Sequence, residues 1–188
     1  QPRARPATVK GVIFTEFIEM VEGTFSPELA DRIITECELA SGGAYTSVGN
    51  YDYREILQLV GKLSEATGID ANELVPAYGE HLFGHFIAYY PEFFTGKEDA
   101  LTFLSSIEDH VHSEVRKLYP DAELPHFKIS RPDPDTLVML YESPRPFGGV
   151  ASGLIQGCCR HYQDPVDVEE EDLSEEGITR VRFTLRRR

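Results

Sequence analysis

The chain has 188 residues, 41% of them hydrophobic, with a formal net charge of −14 at pH 7 and a pI near 4.8. That length supports one domain with a sizeable core, while the acidic balance, with no basic run before Arg186-Arg187-Arg188, repels phosphate backbones and argues against nucleic acid as a partner. No apolar run approaches the ~20 residues of a membrane span and the N-terminus lacks the apolar core of a secretion signal, so no membrane association and a cytoplasmic location are expected.

In chain order, residues 1–8, rich in Pro and Arg, read as a flexible extension, and residues 9–188 as a single domain. Gly11 to Glu22 is mostly apolar with acids at 16, 19 and 22, the pattern of a nearly buried helix with one wet side. Ser26-Pro27-Glu28 caps and opens a helix to about Leu39, ended by Ser41-Gly42-Gly43. A further helix runs from about Asp52 to Thr67 with Gly68 as its stop, and Asp70 caps a short one from Ala71 to about Tyr78. Gly79 to Pro91 then carries Leu82, Phe83, Phe86, Ile87, Tyr89 and Tyr90 beside two glycines. Glycine inside a helix costs about 1 kcal/mol against alanine, so either a ligand or another helix approaches closely there.

Phe103 to Pro120 is an amphipathic helix. With Val111 as origin and ~100° per residue, Leu104, Ile107, Val115 and Leu118 form its apolar stripe, and His110 and His112 lie to either side. Periodicity alone does not choose between a boundary histidine and a neutral imidazole ligating a metal. Asp121 to Pro125 is a turn before the alternating segments Phe127–Ile129 and Thr136–Tyr141, with a turn at Arg131–Asp135. In extended backbone Tyr141, Ser143 and Arg145 project together, with Pro144 biasing Ser143 toward extension. Two hydroxyls and a guanidinium make a seat for carboxylates, and a strand end with a surface arginine is the plainer alternative. Val150 to Tyr162 reads as a helix; Val166–Glu169 and Ile178–Leu185 read as a strand pair across an acidic loop. Cys158-Cys159, two of three cysteines, read as reduced packing residues. Helices first and strands later argue an α+β fold: a mostly helical N-terminal part packed on a C-terminal part with a roughly four-stranded antiparallel sheet.

Taken together, Lys10-Gly-Val-Ile-Phe-Thr-Glu-Phe17, Ser41-Gly-Gly-Ala-Tyr-Thr-Ser-Val-Gly49, the glycine-aromatic segment at 79–91, His112-Ser-Glu-Val-Arg-Lys-Leu-Tyr-Pro120 and Tyr141-x-Ser-x-Arg145 resemble the H-NOX family of haem nitric oxide/oxygen-binding domains. The resemblance covers residues 9–188. It implies a haem b (iron protoporphyrin IX) enclosed between the two parts, with His112 as iron ligand and Tyr141, Ser143 and Arg145 on its propionates. It also implies Pro125 pressing on the macrocycle, Ile13 on the gas side, and Leu82, Phe83 and Phe86 among the walls. His110 is not the ligand in that pattern. Relatives with a C-terminal Cys/His zinc site differ from this chain, which has neither residue type beyond Tyr162, so zinc is not expected.

Oxygen-binding members of that family carry a tyrosine and polar partners on the gas side. The matching positions here are Val150, Phe17 and Leu82, all apolar. A donor stabilises bound oxygen, whereas NO and CO do without one, so the resemblance implies a sensor of NO and CO that excludes oxygen, in which NO weakens or breaks the Fe–His112 bond and frees its helix. A haem-free interaction module on the same fold is the alternative. A haem enzyme of peroxidase type ranks lower, because the apolar gas side supplies no acid–base group. The recipient of the signal implied by the family is a separately encoded histidine kinase or cyclic-di-nucleotide enzyme, or an output domain absent from these residues.

Overall fold

A computed structural model describes residues 7–188; residues 1–6, most of the segment read as an extension, lie outside the described residues. Thr8, counted in that extension, instead begins a strand. β1 (Thr8–Lys10) pairs antiparallel with β2 (Asn50–Asp52), a pairing too short to leave an alternation signal in the sequence.

The helical part consists of α1 (Val12–Thr24), α2 (Pro27–Glu36), α3 (Tyr53–Thr67) and α4 (Ala71–Tyr89). Their starts follow local chemistry. Leu29 N–H donates to Ser26 Oγ at 3.1 Å with Pro27 in the first helical position, Arg54 N–H to Asp52 at 2.9 Å, and Asn72 N–H to Asp70 at 2.7 Å. Gly68 ends α3 in the left-handed region at φ 73°.

Two of these helices end elsewhere than expected. α2 stops at Glu36, because Cys37 is already extended. The short helix from Asp70 does not end at Tyr78 but continues to Tyr89 as one 19-residue helix. Gly79 is the reason it can, since a Cβ there would fall 2.4 Å from the Val150 carbonyl oxygen and 2.8 Å from the Gly153 Cα. The glycines at 79 and 153 thus let two helices touch backbone to backbone, and Gly84, open and exposed, plays no such part.

The helix expected from Phe103 is three pieces: α5 (Ala100–Ser105), a π-helical segment (Ile107–His112) and α6 (Ser113–Leu118). The Ser106 carbonyl accepts from His110 N–H at 2.9 Å and also from Val111 N–H at 3.2 Å, which is the wider i→i+5 closure of a π turn. Leu104, Ile107, Val111 and Val115 face the core as the stripe predicts, but Leu118, beyond the π turn, is 59% exposed. Leu118 is the last residue of α6, where the stripe ends.

The C-terminal sheet has the antiparallel order β3-β4-β6-β5, from β3 (His126–Asp133), β4 (Thr136–Ser143), β5 (Val166–Asp172) and β6 (Thr179–Arg187), with α7 (Gly148–His161) between β4 and β5. The α+β class and the four-stranded sheet are as expected, although β3 and β5 extend into residues read as loops: the register shifts between Ser130 and Asp133, and Glu170–Asp172 pair with β6. The described residues form two cores. One gathers Phe14, Phe17, Ile56, Leu59, Leu63, Tyr78 and Leu82; the other gathers Phe83, Phe103, Leu137, Met139, Ile155 and Phe183. α4 contributes to both, and Phe147 and Leu154 pack against both.

Candidate functional site

Burial along β4 alternates residue by residue, so Leu137, Met139, Tyr141 and Ser143 point inward. Tyr141, Ser143 and Arg145 are 2%, 3% and 3% exposed, as a shared direction requires. Arg145 N–H donates to Ser143 Oγ at 3.1 Å. Its guanidinium donates to the Glu123 carboxylate at 2.9 Å, to the Glu123 carbonyl at 2.6 Å and to the Thr8 carbonyl at 3.1 Å. The arginine is therefore a buried fork already closed on a carboxylate, with β1 tied to it, rather than a surface cation.

The imidazole of His112 is 13% exposed at the side chain and its ring centre lies 5.9 Å from that of Phe127. Phe127 is the direct cross-strand partner of Tyr141, with ring centres 5.5 Å apart. One aromatic side chain thereby links His112 to the Tyr141/Ser143/Arg145 group. Burial lowers the His112 pKa against the opposing pull of Glu108, which favours the neutral imidazole that metal ligation needs. Glu108 was not singled out in the sequence. Burial alone would raise its pKa, but the Phe127 N–H, Arg116 and His112 outweigh that and hold it at about 2.

His110 stands elsewhere, edge-on to Phe93 at 6.3 Å, and lines a hollow of about 350 Å³ with Glu92, Phe93, Glu114, Lys117 and Leu118. None of the residues expected to hold haem lines that hollow. Ile13, Phe17, Leu82, Phe86 and Val150 come together in or against the N-terminal core. Phe83, one position from Leu82 but about 100° around α4, does not join them; it packs in the other core against Phe94 and Phe103 at 5.6 and 6.1 Å. Pro125 is half-buried just before β3.

Two residues on the helical side were misread or missed. Glu16 is not on a wet face but 6% exposed, with the His85 Nδ1 2.9 Å and the His81 Nε2 3.3 Å from its two oxygens. Tyr78 is 1% exposed and crosses Phe17 edge-on at 5.4 Å; its only sequence signal was helical spacing from Leu74 and Leu82. Cys158 and Cys159 are buried, and desolvation pushes the Cys158 thiol well above its ordinary range and the Cys159 thiol up to about 11, so both pack as unreactive thiols.

These residues fit a haem. They offer a buried imidazole for iron, a buried guanidinium that already binds a carboxylate, and apolar walls on the helical side. The family of haem-NO-binding proteins matches residues 10–170. The chain belongs to that family.

H-NOX structures agree with this assignment. The ferrous, unliganded H-NOX protein from K. algicida is 39% identical with a TM-score of 0.89, covering 96% of this chain and 97% of that one. The H-NOX from Shewanella woodyi, solved with IWP-051 in the Fe(II)CO state, is 39% identical with a TM-score of 0.80, covering 95% and 94%. A point mutant of T. Tengcongensis H-NOX, at 23% identity and a TM-score of 0.85 over 96% and 98%, shares the fold. No curated protein matches. This H-NOX chain is thus a member of a haem-based gas-sensor family and a sensor domain rather than an enzyme. Among the described residues no helix is long and apolar enough to cross a membrane.

Proposed function

We propose that the chain holds one haem b through His112 and senses NO and CO while excluding oxygen. Tyr141, Ser143 and Arg145 would receive the propionates, Pro125 would press on the macrocycle, and Ile13, Phe17, Leu82, Phe86 and Val150 would wall the gas side. When bound, ferrous haem supplies an iron with one face open to a diatomic ligand. The observation that carries this reading is the alignment of His112, Phe127 and Tyr141, which sets a buried imidazole and a buried carboxylate-binding fork on one flank of the sheet.

Oxygen exclusion is supported by the state of four donors on the helical side. Oxygen is retained where a hydrogen bond reaches it, yet Tyr78 spends its hydroxyl on the Ile13 carbonyl. His85 faces Glu16, Tyr89 is 70% exposed, and Tyr90 stacks on Phe93. His112 also ends the π segment, so a change in how firmly its ring is held passes directly to α6. Resemblance to the family supports a separately encoded histidine kinase or cyclic-di-nucleotide enzyme as the recipient.

The test is the visible absorption spectrum of the reduced, purified protein under argon, CO, NO and air. A haem spectrum that changes with CO and NO and stays that of the unliganded ferrous form in air is expected. Protein that stays colourless after haem supplementation, or a stable oxygen adduct in air, overturns the reading.

A further inference from the structure

The carboxylate of Glu108 is placed between the candidate iron ligand and the sheet. One oxygen, Oε2, lies 3.2 Å from His112 Nδ1 and accepts the Phe127 backbone N–H at 3.0 Å. The other, Oε1, accepts from Arg116 at 2.9 Å and lies 3.4 Å from His126 Nδ1. The side chain is 17% exposed. A carboxylate held by a backbone amide on one side and a guanidinium on the other has little freedom to swing away, so its orientation toward His112 is set by the fold of β3 and α6 rather than by the histidine.

Resting on the haem reading above, we propose that Glu108 is a positioning residue for His112: it takes the Nδ1 proton in a hydrogen bond, leaves the Nε2 lone pair as the only one available to iron, and raises that nitrogen's donor strength. The chemistry is general. An imidazole has one proton to place, and a negatively charged acceptor at Nδ1 decides the tautomer and pushes electron density toward Nε2. Loss of such an outer partner weakens metal binding by about 10–100-fold in comparable histidine sites. An ion pair with Arg116 whose only role is to brace the π segment is the competing account. It predicts no effect on the bond from His112 to iron.

The experiment is resonance Raman spectroscopy of the ferrous, haem-loaded protein, reading the iron–histidine stretching band, together with the haem midpoint potential. Glu108→Ala is expected to shift the band to lower frequency and raise the potential, since a less electron-rich ligand favours the ferrous state. Glu108→Gln, which keeps an oxygen acceptor without the charge, is expected to fall between, and it decides the matter should the alanine variant fail to hold haem. Arg116→Ala, which keeps the Glu108–His112 contact, is expected to leave the band near its wild-type position. An unmoved band in both Glu108 variants overturns the positioning role, while loss of the band in His112→Gly leaves the ligand assignment standing. A band that survives His112→Gly overturns both.

Discussion

The hydroxyl of Tyr78 donates to the backbone carbonyl of Ile13 at 2.5 Å, joining α4 to the first turn of α1 beside the residues assigned to the gas side. A tyrosine so placed looks like a donor for oxygen, but its proton is already committed. Tyr78→Phe is therefore expected to leave the spectrum in air unchanged and to cost about 1 kcal/mol of stability, the net value of one buried hydrogen bond, read by urea denaturation of the haem-loaded protein. Appearance of an oxygen complex in the variant would show that the hydroxyl reaches the gas.

The two histidines of the π segment separate cleanly. His112→Gly is expected to retain haem poorly unless free imidazole is supplied, whereas His110→Ala, removing a ring that packs on Phe93, should keep the wild-type spectrum. The reverse pattern would assign iron to the other imidazole.

Removing the Arg145 fork leaves the Thr8 and Glu123 carbonyls without their buried donor. Arg145→Ala should destabilise the protein by about 2 kcal/mol, within the range for hydrogen bonds to a charged group, and hasten haem loss to an excess of acceptor protein. Arg145→Lys keeps the charge but not the planar fork, so it should recover only part of the retention. Wild-type retention in Arg145→Ala would remove this residue from the propionate site.

Helix contact explains one glycine and not the other. Gly79→Ala drives a methyl group against the backbone of α7 and is expected to cost about 1–3 kcal/mol. Gly84→Ala meets nothing within 4 Å and should stabilise by about 1 kcal/mol through helix propensity. Thermal denaturation of the pair checks both signs at once.

Acid should weaken the fold through Glu108. Its carboxyl sits at about 2 in the folded chain against an ordinary 4.5, so the stability it contributes is complete above about pH 4.5 and is lost as the pH falls toward 2. Glu108→Gln is expected to be less stable than wild type at about pH 6 and to lose less on acidification across that window. Parallel melting-temperature curves for the two proteins from about pH 6 down to about pH 2 would rule the contribution out.

What the sequence determined by itself was local or periodic. Ser26, Asp52 and Asp70 mark helix starts, because a cap is chemistry between neighbours; alternation along β4 sets Tyr141, Ser143 and Arg145 on one face, because a strand repeats every two residues; and spaced motifs carried the likeness to the family. What only the tertiary structure decided depends on residues far apart in the chain. Leu118 keeps its place on the apolar stripe yet is 59% exposed, because nothing in a helical repeat says whether another element will cover a given position. Glu16 is buried because two histidines from α4 meet it, and Phe83 packs apart from its neighbour Leu82 because α4 serves two cores. Glu108 stands four residues before His112, a spacing the sequence contains, but the amide that anchors its carboxylate comes from the edge of β3, 19 residues further on; no helical window contains that second encounter.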